Sequence, residues 1–179
     1  MAEKIVTIDR KEDEKFLRKK TLTFSFSPEG EPVVDGKTFT RAEFAKLVID
    51  MRRTMKAANG VGLSANQIGL PYRLFVAQIP ASRGGENKFY CVLNPEFEKK
   101  SDEKISAEEG CLSVRGIYGA VERAEKVTLK GLDKLGKPLK IKAWGFLARV
   151  FQHEVDHLDG KLFLDRAKKI YKPEPAAER

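Results

Sequence analysis

Hydrophobic and polar positions alternate over residues 21–27, where Leu22, Phe24 and Phe26 are separated by hydroxyl residues. A period of two predicts a strand with one buried face. Pro32, Val33 and Val34 and then Lys37, Thr38 and Phe39 flank Asp35-Gly36, a hairpin signature. Thr40 with Glu43 three residues later predicts a capping box. Phe44, Leu47, Val48, Met51, Met55 and Ala58 then recur at helical spacing until Asn59-Gly60 closes the helix. Residues 60–67 (GVGLSANQ) read as a glycine-bearing turn. Residues 72–79, 89–93 and 97–100 read as strands, the first two joined by a polar loop containing Gly84-Gly85, and residues 111–114 read as extended. Residues 127–132 and 139–143 predict a hairpin, and a second helix runs from Gly145 to Leu158 with Gly160 beyond its end. Residues 1–20 are charged with little periodicity, and residues 172–179, with two prolines, read as a loose tail. Strands surround the helices without alternating with them. The expected fold is therefore α+β, with antiparallel strands packed around a central helix in a single domain over residues 1–179.

Composition narrows the class. The 179 residues are 41% hydrophobic and 34% charged, as in a globular protein that buries its own core. No apolar run approaches the roughly 20 residues that span a bilayer. The first residues lack the apolar core of a secretory signal, and their acidic side chains argue against a transit peptide. A cytoplasmic location is expected, with no membrane attachment. The only cysteines, Cys91 and Cys111, are too few for a disulfide scaffold and are expected as free thiols. The net charge of +8 favours polyanions. The lysines are nevertheless spread along the chain without zinc-finger spacing or an aromatic RNA-binding motif, so no specific nucleic-acid recognition is expected.

The chemistry concentrates in His153-Glu154-Val155-Asp156-His157, an H-E-x-x-H within the second helix. Side chains four residues apart stack on one helical face, so two imidazoles there can converge on one cation. Glu154 follows the first of them and can take a proton from metal-bound water without being a ligand. An exposed face carrying two polar residues is the competing reading. Phe146, Val150 and Phe151 argue against it, because they make the helix partly buried and a buried imidazole needs a partner. These are the only histidines, so a third ligand must be of another type, unlike metalloproteases that use a downstream histidine. Cys111, after Gly110, is the best candidate. A small buried hydrophobe is the ordinary alternative for a lone cysteine, and spacing alone does not separate Cys111 from Cys91.

Three segments together are more specific. Residues 60–67 (GVGLSANQ), 109–113 (EGCLS) and 152–160 (QHEVDHLDG) resemble, in order, the three motifs of the peptide deformylase family. The resemblance extends over roughly residues 44–166, while residues 1–40 match poorly. It implies Cys111, His153 and His157 as ligands of one divalent metal, Fe2+ first and Zn2+ or Ni2+ as substitutes. It also implies Glu154 as general base and then acid, with the Gln67 amide and the Leu112 backbone N–H facing the oxyanion. The implied reaction removes formyl groups from N-formylmethionyl peptides of nascent chains and releases formate, with transient ribosome contact a possible accompaniment. Substrate main chain is expected along Val61, Gly62 and Leu63 and along Glu109 and Gly110. Phe146, Arg149 and Val150, one or two turns before His153, are candidates to line a methionine pocket. Arg115, Ser64 and Trp144 depart from the common pattern, which holds proline, alanine and a charged or small residue there. A zinc peptidase built on the same helix, or a non-catalytic ribosome-associated protein with a structural metal, are the competing functions. The first would tolerate loss of Cys111, and the second would not need Glu154 or Gln67.

Overall fold

A computed structural model describes residues 2–79 and 87–173. The expected Gly84-Gly85 loop and residues 174–179 of the expected tail lie outside them. The chain opens with an extended segment and a short helix, α1 (Lys11–Leu17). Strands β1 (Ser25–Phe26), β2 (Pro32–Val34) and β3 (Lys37–Thr38) form a small antiparallel sheet. The β2–β3 turn places Asp35 and Gly36 at φ of 52° and 72°, the doubly left-handed geometry that makes Asp-Gly a hairpin signal. Helix α2 (Arg41–Ala57) starts at the expected capping box. Thr40 Oγ1 accepts from the Glu43 N–H at 3.2 Å, and the Glu43 carboxylate accepts from the Thr40 N–H at 2.9 Å. Asn59 closes it at φ 56°.

The main sheet has five antiparallel strands in the order β10-β9-β6-β5-β4, built from β4 (Gly62–Ser64), β5 (Leu74–Ile79), β6 (Lys88–Lys100), β9 (Lys126–Leu132) and β10 (Pro138–Trp144). Strand β5 is a continuous buried run because the sheet is covered on both faces there. Leu74 and Val76 join Phe44, Met51 and Met55 of α2 in one core, while Phe75 and Ala77 join helix α3 (Gly145–Leu158) in another. Alternate residues of a strand point to opposite faces, so one strand supplies both cores. Phe151 of α3 is fully buried, with ring centroids 5.6 Å from Phe75 and 5.2 Å from Tyr90. Such ring pairs contribute about 0.5–1.5 kcal/mol each beyond burial.

The third sheet, ordered β11-β8-β7, comprises β7 (Lys104–Cys111), β8 (Val114–Ala124) and β11 (Ile170–Tyr171). Its strand β8 packs against α3. Gln152 of α3 fastens the two together: its side chain accepts from the Ala124 N–H at 3.1 Å and donates to the Ala124 carbonyl at 2.9 Å. The metal-motif helix thus lies among antiparallel strands, the α+β arrangement expected.

Several local expectations change. The segment read as one turn over residues 60–67 is an edge strand, β4, followed by a 3₁₀ turn, Ala65–Ile68. Burial of Gly62, Leu63 and Ser64 recruits them into the sheet. The two strands expected at 89–93 and 97–100 are one bulged strand, β6, because Pro95 and Asn94, at φ 48°, interrupt the pairing without ending it. Residues 111–114 are not one extended piece: Leu112 and Ser113 make the turn between β7 and β8. The strand expected at 21–27 shrinks to β1, and the Asn94 side chain satisfies Phe24 instead, with both bonds at 2.8 Å. Helix α1 was invisible to periodicity because only Leu17 of its residues is buried.

Candidate metal centre

Two elements bring the candidate ligands together. Helix α3 stacks His153 and His157 one turn apart, with ring centroids 5.0 Å from each other. The β7–β8 hairpin delivers Cys111 at the end of β7, its Sγ 3.1 Å from His157 Nε2. One ligand atom from each of Cys111, His153 and His157 lies within 4.8 Å of the others. A thiol and two imidazoles at this spacing fit a divalent transition metal. Burial alone would raise the Cys111 thiol, but His157 and His153 outweigh it and bring it down to about 5. Cys91 shows the contrast: on β6, away from the cluster, burial pushes its thiol up to about 12. The three-dimensional arrangement separates two cysteines that spacing could not.

Behind the ligands lies a buried ionic network. His153 Nδ1 is 2.9 Å from Glu109 Oε2, which leaves Nε2 of that ring for a metal. Glu109 also accepts from Arg123 at 2.9 Å through both oxygens and from Arg149 at 2.7 Å. Arg123 reaches on to Asp156, which Arg166 holds from its other side at 2.6 and 2.7 Å. Burial would raise the carboxyl groups of Glu109 and Asp156, but the arginines, with His153 at Glu109, outweigh it, holding Glu109 well below the usual range and lowering Asp156. Burial also opposes protonation of His153, and its contacts with Cys111 and Glu109 more than reverse this.

Glu154 is buried beside the candidate ligands. Its carboxylate accepts from Ser64 Oγ at 2.7 Å, and burial raises its pKa despite the nearby histidines. That burial depends on Gly62, where a Cβ would stand 2.2 Å from Glu154 Oε1. Gln67 is oriented at both ends of its amide. Its Oε1 accepts from the Ser64 N–H at 2.9 Å, and its Nε2 donates to Ser113 Oγ at 3.1 Å with Cys111 Sγ at 3.6 Å.

A cleft of about 390 Å³ opens onto this cluster. Of the sequence candidates, Val61, Gly62, Gln67, Glu109, Gly110, Leu112, Phe146, Arg149 and Val150 line it together with Cys111, His153 and Glu154. Leu63 does not; its side chain is fully buried in the α2 core, although β4 is an edge strand of its sheet. Arg149 contributes to the wall while its guanidinium is spent on Glu109 and on the carbonyls of Ile105 and Val121 at 2.6 and 2.9 Å. Phe146 is exposed at the rim. Sequence reasoning missed Arg123, Ser113 and Tyr118. The last lines the cleft and packs so close to Gly110 that a Cβ there would meet its ring at 2.8 Å. Ser113 closes the 109–113 motif without being singled out, and no local motif marks Arg123 or Tyr118. Finding them requires the β7–β8 pairing, which the polar sequence of β7 conceals.

Comparison with known proteins supplies the family. A family model for polypeptide deformylase matches residues 28–173. The chain belongs to the polypeptide deformylase family. A peptide deformylase of Syntrophomonas wolfei is 49% identical over 122 residues, which cover 68% of this chain and 76% of that protein. The crystal structure of a peptide deformylase from Legionella pneumophila superposes with a TM-score of 0.75 at 38% identity, covering 94% of this chain and 87% of that one. A Met-Ala-Ser-bound class I type b peptide deformylase from Acinetobacter baumannii gives a TM-score of 0.74 at 31% identity, covering 93% and 98%. The activity that goes with the family is metal-dependent hydrolysis of the N-formyl group of nascent peptides, and neither the peptidase nor the non-catalytic reading is favoured.

Proposed function

We propose that this chain releases formate from N-formylmethionyl peptides at a ferrous centre held by Cys111, His153 and His157, with Zn2+ or Ni2+ as substitutes. The observation that carries the reading is the convergence of these three donors beside a buried Glu154, in a cleft that Gln67 and Leu112 also line. Cys111 Sγ and the Nε2 atoms of the two histidines would hold the ion. When bound, such an ion lowers the pKa of a water and polarises a carbonyl oxygen. Glu154 takes the proton of the attacking water. Its raised pKa suits a group that must accept a proton and give it up again. The Gln67 amide and the Leu112 N–H face the oxyanion that forms, a role in which one donor is worth about 3–4 kcal/mol. Glu154 then delivers its proton to the leaving amine.

The substrate main chain lies along β4, the edge strand among the described residues, at Gly62 and Leu63 with Val61 before them, and along Glu109 and Gly110, as an added strand. Leu63 contributes backbone alone, because its side chain faces the core. Phe146, Val150 and the aliphatic stem of Arg149 receive the methionine side chain. The peptide bound to the Acinetobacter baumannii protein begins with methionine, in keeping with such a pocket. The domain is single over residues 1–179, and the same reading puts it in the cytoplasm. There its net charge of +8 favours transient contact with the polyanionic ribosome. Among the described residues, no helix is long and apolar enough to cross a membrane.

The test is mass spectrometry of a formyl-Met-Ala-Ser peptide incubated with iron-loaded protein. Loss of the formyl group with the peptide bonds intact is the expected product pattern. Internal cleavage without formate would overturn the reading in favour of a peptidase.

A further inference from the structure

Residues 3–8 precede every motif and lie outside the segment matched by the family model. They nevertheless form a strap bonded to the site's two turns, half-buried over residues 5–8. The Val6 N–H donates to the carbonyl of Gln67 at 2.8 Å, and the Ile8 N–H donates to the carbonyl of Ser113 at 3.0 Å. These carbonyls belong to the two residues whose side chains bond to each other across the site, Gln67 Nε2 to Ser113 Oγ at 3.1 Å. One stretch of backbone therefore ties the 3₁₀ turn that carries Gln67 to the β7–β8 turn of Leu112 and Ser113, next to Cys111. The strap is itself fixed. The Glu3 N–H donates to Thr54 Oγ1 of α2 at 2.7 Å, and Ile8 packs into the small core of Val114, Val121, Leu162 and Phe163. Beyond it, Leu17 is fully buried and Arg18 pairs with Asp165 at 3.0 Å.

We propose that the backbone amides of Val6 and Ile8 are positioning groups for the deformylation step: they set the separation between the Gln67 amide and the Leu112 N–H. This rests on the reading of those two groups as the oxyanion donors. Both sit on short turns rather than within a helix or a long strand. The Gln67–Ser113 side-chain bond, with Cys111 Sγ 3.6 Å from the same Gln67 Nε2, otherwise ties the two turns. The strap adds backbone bonds to both turns. Without it the Gln67 and Leu112 donors lose their fixed spacing, while α3 still presents His153, His157 and Glu154.

Proline removes a backbone N–H, so the test uses Val6→Pro and Ile8→Pro in the full-length, iron-loaded protein, beside Val6→Ala and Ile8→Val, which keep it. Formate-release kcat and KM, metal content and melting temperature are measured on each. Misplacement of a catalytic group by about an ångström costs on the order of a hundred-fold, so kcat is expected to fall about ten- to a hundred-fold in the proline variants. KM and metal content should stay near wild type, and the N–H-retaining variants should turn over normally. A loss that follows metal loss or unfolding, or an unchanged kcat in both folded proline variants, overturns the proposal. Gln67→Leu separates this from the reading beneath it. If Gln67→Leu keeps its turnover, the oxyanion assignment fails and the proposal fails with it. If it loses turnover while the proline variants do not, the strap alone is refuted. In a Gln67→Leu background a strap acting through Gln67 predicts that Val6→Pro costs far less than it does alone, whereas additive losses contradict it. Amide hydrogen exchange of the unaltered protein stands independent of any variant: Val6 and Ile8 are expected to be protected, and free exchange at both refutes the strap.

Discussion

Gly62→Ala adds a single methyl group at the point where β4 passes Glu154. The backbone of Gly62 lies outside the left-handed region reserved for glycine, so alanine meets no conformational strain there. The obstacle is the Cβ, which would stand 2.2 Å from Glu154 Oε1 and 2.8 Å from its Cδ. Ordinary contact needs about 3.5 Å, so the carboxylate has to withdraw by roughly an ångström. It is the free end of a side chain and can do so, giving up the 2.7 Å bond from Ser64. A hydrogen bond to a charged group contributes about 1.5–3 kcal/mol, which bounds the expected loss of stability and leaves the domain folded. Catalysis is more sensitive, because an ångström of displacement costs about a hundred-fold, equal to roughly 2.7 kcal/mol of barrier. The assay is formate release with metal content and melting temperature on the same samples. Gly60→Ala is the comparison: its Cβ meets the Leu112 Cδ1 methyl at 2.7 Å, a tip that can turn aside without moving the Leu112 N–H, so its loss should be smaller. Gly62→Ala turning over at the wild-type rate with full metal would refute the placement of Glu154 as the proton carrier.

Cys111→Ala and His157→Ala are expected to lose stoichiometric metal while Cys91→Ala keeps it, by elemental analysis after gel filtration; metal retained by Cys111→Ala would sink the ligand set. Chelation should lower the melting temperature, since an ion that binds only the native state stabilises it by mass action, and an unchanged melt with full activity would contradict a catalytic metal. The carboxyl groups of Glu109 and Asp156 are held below their ordinary values of 4.5 and 3.8, so their stabilisation is complete above those values and is lost as pH falls through the folded values. Melting temperature should accordingly drop as pH falls below about 4, and a flat profile there would contradict the buried network. Arg123→Met removes the partner that Glu109 and Asp156 share while Arg149 and Arg166 still pair them, so a loss of about 1.5–3 kcal/mol is expected in a denaturant titration.

The parts of this protein that sequence exposes are those where one local pattern decides the outcome. Helix α3 and its stacked histidines follow from a spacing of four, and the Asp35-Gly36 hairpin and the Thr40–Glu43 cap follow from residues with specific backbone chemistry. The family motifs placed Gln67 and Cys111 in the same cleft before any geometry was available. What stayed hidden depends on pairings between distant residues. Strand β7 exposes most of its residues and carries no clean alternation, so its hairpin with β8 was missed, and with it the Glu109–Arg123–Arg149 cluster behind His153. Residues 3–8 bond through backbone amides, which leave no mark on side-chain composition. Glu109 was read for its main chain alone, although its carboxylate, buried among cations, is what orients the first histidine.

The proposed function turns on Glu154 carrying the proton for hydrolysis at a metal held by three other side chains. Glu154→Gln keeps the size of the side chain and removes its base. Formate release from a formyl-Met peptide, measured with metal content on the same wild-type and Glu154→Gln samples, tests this most directly. General acid–base catalysis contributes about a hundred- to ten-thousand-fold, so turnover should fall by at least the lower figure with metal retained and KM little changed. Near-normal turnover in metal-replete Glu154→Gln, or a loss that follows the metal, would rule out Glu154 as the proton carrier.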